Sequence, residues 1–138
     1  MAHQYYLAKT DPETYSIEQF QGEKRTVWDG VRNPQALRAI RAMKKKDRVF
    51  IYHSMGESAV MGLAAVISDP RPAQDDAKLA VVELEFLFRI EPPVTLREIK
   101  ETKLFDDWSL VRQSRLSTMA APDAFVAWMR KRFPKLAI

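Results

Sequence analysis

LAVVELEFLFRI, residues 79–90, decides the fold. Val82, Leu84, Phe86, Phe88 and Ile90 fall on one side of an extended chain, and Glu83, Glu85 and Arg89 on the other. That period of two marks a strand with one buried face. Two more β-rich runs precede it, RVFIYHS (48–54) and AVMGLAAVIS (59–68), with no helical segment between them. Strands that follow one another this way pair as an antiparallel meander. The expectation is an α+β or barrel-like fold without βαβ crossovers. The Asp-Pro-Arg-Pro stretch opening at Asp69 reads as a connection, and Pro92-Pro93 as the end of the long strand, because proline gives a ladder no donor.

Working outward, residues 4–9 read as a first strand. Ser16 with Gln19 forms a capping-box pattern, and Gly22 is expected to end that helix. Residues 26–28 are extended. Asn33-Pro34 is a helix start, with Asn as the cap and Pro at the first helical position. Leu37, Ile40 and Met43 then share one face, and Lys44-Lys45-Lys46 sits where the helix dipole favours cations. Thr95 and Glu98 open another helix. Residues 110–117 read as extended or loop, and 122–133 as a helix with Phe125, Trp128 and Met129 on one stripe.

The chain has 138 residues, which fits a single domain over 1–138 able to bury a core without staples. It has no cysteine and two histidines, His3 and His53, so thiol chemistry, disulfides and His-rich metal centres are excluded. Neither a phosphate-cradling glycine loop nor a nucleophile elbow is present. His53 and Ser54 are neighbours on a strand and point to opposite faces, which breaks the one candidate base–nucleophile pair. Asp75-Asp76 and Asp106-Asp107 read as solvated loop pairs. No catalytic residue, metal or cofactor is expected. No apolar run is long enough for a membrane helix, and no signal-peptide pattern is seen, so the default location is cytoplasmic, or nuclear in a eukaryote.

The net charge of +4 hides a division. Residues 32–48 and 112–138 together carry thirteen basic and two acidic residues, a net +11, and the remainder carries −7. Charge so divided either steers a polyanion or only solvates two helix faces. Arg32, Arg38, Arg41, Lys45 and Arg112 are the candidate contacts to a nucleic-acid backbone. Trp28, followed by Asp29-Gly30, is either a core residue before a tight turn or the wall of a pocket with Asp29 and Asn33 at its mouth.

YLAKTDPETYS, VWDGVRNPQA, VFIYHS, VMGLAAV and LVRQSRLS occur in this order across residues 5 to about 129. Together they resemble the EVE domain family of the PUA-like superfamily, relatives of YTH and ASCH domains. The resemblance implies a mixed β-barrel of five to six strands flanked by short helices. It also implies a pocket for a flipped or unpaired modified base, modified cytosine in DNA foremost, or a modified base in RNA. The implied pocket residues are Lys9 and Thr10 at its edge, Trp28 as stacking wall, and Asp29 and Asn33 at the ligand's polar rim. Tyr52, His53, Ser54, Arg115, Leu116 and Ser117 complete the set. The chain departs from the family pattern at Pro34, at Thr118-Met119-Ala120-Ala121, and in a short loop over residues 69–78.

The expectation is therefore a non-catalytic reader of nucleic acid, with any enzyme activity supplied by a partner in trans. Two alternatives use the same features: a binder of, or enzyme on, a free nucleoside-like molecule, and a module whose basic face meets an acidic protein.

Overall fold

The computed structural model describes residues 3–138. The chain runs β1 (Tyr5–Thr10), α1 (Ile17–Glu23), β2 (Arg25–Trp28), α2 (Pro34–Ala42), β3 (Arg48–His53), β4 (Ala59–Val66), β5 (Arg71–Pro72) and β6 (Ala80–Thr95). It ends with α3 (Leu96–Thr102), α4 (Ser109–Arg112), β7 (Thr118–Ala120) and α5 (Asp123–Arg132). The strands form one mixed sheet in the order β2-β6-β4-β3-β1-β7, with β5 paired to β6 beside this path.

The α+β class and the β3-β4-β6 meander match expectation. Seven strands replace five to six, and the barrel is open, since no ladder joins β2 to β7 among the described residues. Helix α2 packs against both β7 and β6, burying Ala36, Leu37 and Ile40 while Arg38 and Arg41 face solvent. An amphipathic helix thus covers ground that a closing ladder would occupy.

Pairing of β1 with β3 is parallel, from Tyr5 opposite Arg48 to Thr10 opposite His53. This corrects the expectation of no crossover. The connection holds α1, β2 and α2, and periodicity within single strands carries no information about it. The result places the C-terminal ends of β1 and β3 side by side.

Four local expectations also need correction. Helix α1 continues through Gly22 and stops at Lys24, whose φ of 69° takes the left-handed turn and whose N–H donates to Phe20 O. Strand β6 runs past Pro92-Pro93 to Thr95. Its register against β4 slips between Val60 and Gly62, so the prolines fall in a bulge where the ladder asks nothing of them. Arg71-Pro72, expected only as a connection, forms a two-residue edge strand. Residues 110–117 contain the end of helix α4 and a turn.

The N-cap expectations hold at Ser16 and Asn33, and the capping-box pattern expected of Thr95 and Glu98 forms by half. Ser16 and Gln19 exchange both capping bonds, and Asn33 Oδ1 accepts from Gln35 N (2.8 Å) and Ala36 N (3.1 Å). Thr95 Oγ1 accepts from Glu98 N (3.1 Å), but the Glu98 carboxylate instead holds Arg132 at 2.6 Å. Gly62 is required by packing: a Cβ there would lie 2.9 Å from Phe88 O and 3.0 Å from Ile17 Cδ1.

Candidate functional site

The parallel pairing of β1 with β3 and the antiparallel pairing of β1 with β7 bring three separated segments to one end of the sheet. Lys9 N–H donates to Ser117 O (2.7 Å), and Ser54 N–H donates to Thr10 O (3.0 Å). Residues 9–10, 54 and 117 are thereby fixed to one another by backbone bonds, where side-chain mobility cannot loosen them. The Ser54 hydroxyl approaches the same Thr10 carbonyl at 3.4 Å.

Lys9 Nζ sits 5.6 Å from the centre of the Tyr52 ring and donates to Ser114 O at 3.0 Å. Burial lowers its pKa, because the ammonium has lost part of its water. Burial likewise raises the Tyr52 hydroxyl, against a hydrogen bond with Ser58 that lowers it. A cation over a neutral phenol ring forms one side of this corner.

Thr10 and His53 are partly committed to structure. Thr10 Oγ1 donates to Tyr15 O (2.8 Å), and His53 Nε2 accepts the Ile17 N–H (3.0 Å) at the start of α1. That bond needs a neutral imidazole with its proton on Nδ1. Burial lowers the His53 pKa; Glu18 opposes the shift and Arg89 adds to it. His53 is therefore an anchor for α1, the reading favoured by its lack of a nucleophile partner.

Trp28 ends β2, 7% exposed, and reaches this corner through Tyr15, which it meets edge-on at 6.2 Å. It also packs on Phe20 at 6.2 Å. Among the described residues no acceptor meets its indole N–H. Among the described residues the fully buried side-chain polar atom without a hydrogen bond is Arg89 Nε, so the indole edge still reaches solvent. Tyr15 was not singled out from sequence, although it lies within the YLAKTDPETYS stretch. Its hydroxyl donates to Glu23 at 2.6 Å, and burial together with that bond pushes its pKa up to about 12.

The remaining candidates are dispersed. Asp29 and Arg32 line a separate cavity of about 670 Å³ against residues 71–76. The Asn33 oxygen is occupied as the α2 cap, leaving its amide N–H groups free of that duty. Leu116 is buried, Arg115 is exposed, and Ser117 Oγ lies 3.5 Å from Thr118 Oγ1. Of the basic residues, Arg38 and Lys45 are exposed; Arg41 donates to Lys78 O (2.6 Å) and Arg112 pairs with Asp107 (3.5 Å).

A sequence model of the EVE domain matches residues 4–132. The chain belongs to the EVE domain family. Mouse thymocyte nuclear protein 1 is 32% identical over 124 residues, covering 70% of this chain and 55% of that protein. The chain spans about half the length of the curated relatives it matches. A crystal structure from Agrobacterium tumefaciens is 32% identical with a TM-score of 0.87, covering 97% of this chain and 94% of that one. Human THYN1, solved in complex with 5-methylcytosine containing DNA, shares the fold at 24% identity and a TM-score of 0.86, covering 96% and 99%. In this EVE domain the Lys-Thr, Tyr-His-Ser and Arg-Leu-Ser segments converge, and the Trp-Asp-Gly segment divides. Trp28 turns toward Tyr15, while Asp29 and Arg32 turn toward the second cavity.

Proposed function

We propose that this EVE domain is a non-catalytic reader that takes a modified base, modified cytosine in DNA foremost, at the corner where β1 and β3 end. The observation that carries the reading is the convergence of Lys9, Thr10, Tyr52, Ser54 and Ser117 beside an aromatic pair, Tyr15 and Trp28, whose indole N–H meets no acceptor among the described residues and reaches solvent. The human relative solved with 5-methylcytosine containing DNA supports the ligand class.

The chemistry follows from what a base is: a flat ring with a polar rim. An aromatic surface supplies roughly 1–3 kcal/mol per base and does not discriminate. Edge hydrogen bonds and the fit around a methyl group discriminate. In this reading the Trp28 N–H, the Asn33 amide and the Ser54 and Ser117 hydroxyls serve acceptors on the base, while Asp29 faces the second cavity and takes no part. Lys9 faces the strand entering the corner. Arg32, Arg38, Arg41, Lys45, Arg112 and Arg115 hold phosphates. Any chemistry on the nucleic acid comes from a partner enzyme.

The test is anisotropy binding of DNA and RNA oligonucleotides carrying cytosine, 5-methylcytosine or 5-hydroxymethylcytosine, across a salt series. Wild type is expected to prefer one modified base, with affinity falling as salt rises, and Trp28→Ala to lose that preference. Unfolding of the variant is measured in parallel, because removing a packed Trp costs about 3–5 kcal/mol and imitates a binding defect. Equal binding of all oligonucleotides by both proteins contradicts the reading. Salt-insensitive binding of a free nucleoside, with no gain from flanking phosphates, favours a small-molecule binder instead.

A further inference from the structure

The turn from β3 to β4, Ser54-Met55-Gly56-Glu57-Ser58, begins inside the candidate site and carries one large apolar side chain into solvent. Met55 is 58% exposed. The turn is fixed at both ends: Ser54 N–H donates to Thr10 O (3.0 Å), and Ser58 O accepts from Leu96 N (2.9 Å). Gly56, at φ +71°, makes the bend that a side-chain-bearing residue resists. Met55 is, with Val27 and Leu104, one of three large hydrophobic side chains exposed among the described residues, and of these it alone stands on the turn that begins in the site.

A second observation lies on the other flank of the same turn. Glu57 and Ser58 form one side of a groove of about 820 Å³, and α3 forms the other with Arg97, Lys100 and the following Lys103. Arg97 is engaged with Glu101 at 3.3 Å. Lys100 and Lys103 are exposed and, among the described residues, hold no carboxylate. They belong to neither basic segment of the sequence. Only the fold sets them beside the turn.

We propose that this edge contacts double-stranded DNA: Met55 enters the stack where the recognised base has left it, and Lys100 and Lys103 hold phosphates of the strand passing through the groove. The proposal rests on the reader function and extends it from an unpaired base to a paired one. An apolar wedge lowers the cost of unstacking a step, and exposed lysines neutralise backbone charge without reading sequence. No bond is made or broken, so the role is positional.

The test compares a duplex holding the preferred modified base with the same strand single-stranded, for wild type, Met55→Ala and the double variant Lys100→Gln/Lys103→Gln. Met55→Ala is expected to weaken duplex binding about tenfold and to leave single-strand binding unchanged, since an unpaired base needs no wedge. The lysine variant is expected to reduce the duplex salt slope by about 1.8, at ~0.9 per phosphate released. Fluorescence of 2-aminopurine beside the modified base gives a separate reading, rising with wild type and less with Met55→Ala. All three positions are exposed, so folding is not at stake, and thermal unfolding checks it. Equal loss on duplex and single strand, or no loss, overturns the wedge. An unchanged salt slope overturns the phosphate track. Wild type that prefers a modified base only when single-stranded overturns the duplex proposal and leaves the reader intact, whereas wild type without any preference overturns both.

Discussion

Two tryptophans in this domain are almost equally hidden and differ in what their indole N–H groups do. Trp108 is 6% exposed and Trp28 is 7% exposed. Trp108 donates to Ala120 O at 2.9 Å and lies 4.6 Å from Phe125, in a cluster that includes Phe105 and Trp128. Trp28 sits in a looser group with Tyr15 and Phe20, all at 6.2 Å, and meets no acceptor among the described residues. Burial alone would class both as core. The indole donors separate them: that of Trp108 is satisfied inside the fold, and that of Trp28 reaches solvent, where a ligand acceptor can take the place of water.

The comparison is easiest to break at its strong end. Trp108→Ala should cost about 3–5 kcal/mol in chemical denaturation, as for other large core deletions. A loss near zero would show that the cluster under α5 is not the closed core described. Next, Trp28→Phe and Trp108→Phe should part company. Replacing Trp108 removes its bond to Ala120 O and part of a packed ring and should cost about 1 kcal/mol or more of stability, with no change in preference for a modified base. Replacing Trp28 should cost less stability, and should cut binding of the modified oligonucleotide about fivefold, the equivalent of one hydrogen bond of ~1 kcal/mol. Reversal of the two patterns would reverse the assignment.

How much of this was legible in the sequence depends on how local the cause is. The caps at Ser16, Asn33 and Thr95 are decided within three residues; the first two form as read, and Thr95 caps its helix without the return bond from Glu98, whose carboxylate is drawn to Arg132. The alternation of residues 82–90 is decided within one strand, and the strand forms. Its continuation past Pro92-Pro93 depends on a bulge against β4, and the meeting of Thr10 with His53 depends on a crossover of nearly forty residues. Neither leaves a mark in a short window. Candidate residues followed the same rule. The three segments named from the resemblance converge because β1 pairs parallel with β3 and antiparallel with β7, facts available only in three dimensions. Lys100 and Lys103 escaped notice because a count of charge along the chain does not see the turn beside them.

His53 gives a smaller effect with a definite sign. Its folded pKa lies below the ordinary imidazole value because burial disfavours the charged form. Its contribution to stability is therefore full above about pH 6.5 and is lost as pH falls through the folded pKa, where protonation of Nε2 removes the Ile17 bond. Denaturation at pH 7.5 and 5 should show a decline in wild type that His53→Gln, which has an oxygen acceptor and does not titrate, reduces. Equal declines would remove His53 as the anchor of α1. The smallest effect belongs to Asn33→Asp. The carboxylate keeps the α2 cap, so stability should stay within ~0.5 kcal/mol, and loss of the amide donor should weaken modified-base binding. Asn33→Asp that binds as wild type would confine Asn33 to the cap.

Whether the Trp28 indole N–H receives a ligand is read from the side-chain indole resonances in a nitrogen–proton correlation spectrum during titration with methylated and unmethylated oligonucleotide. The account predicts that the Trp28 resonance shifts saturably, at lower concentration of the methylated strand, while that of Trp108 stays in place. A Trp28 resonance that does not move, or one that moves no more than Trp108, would contradict it.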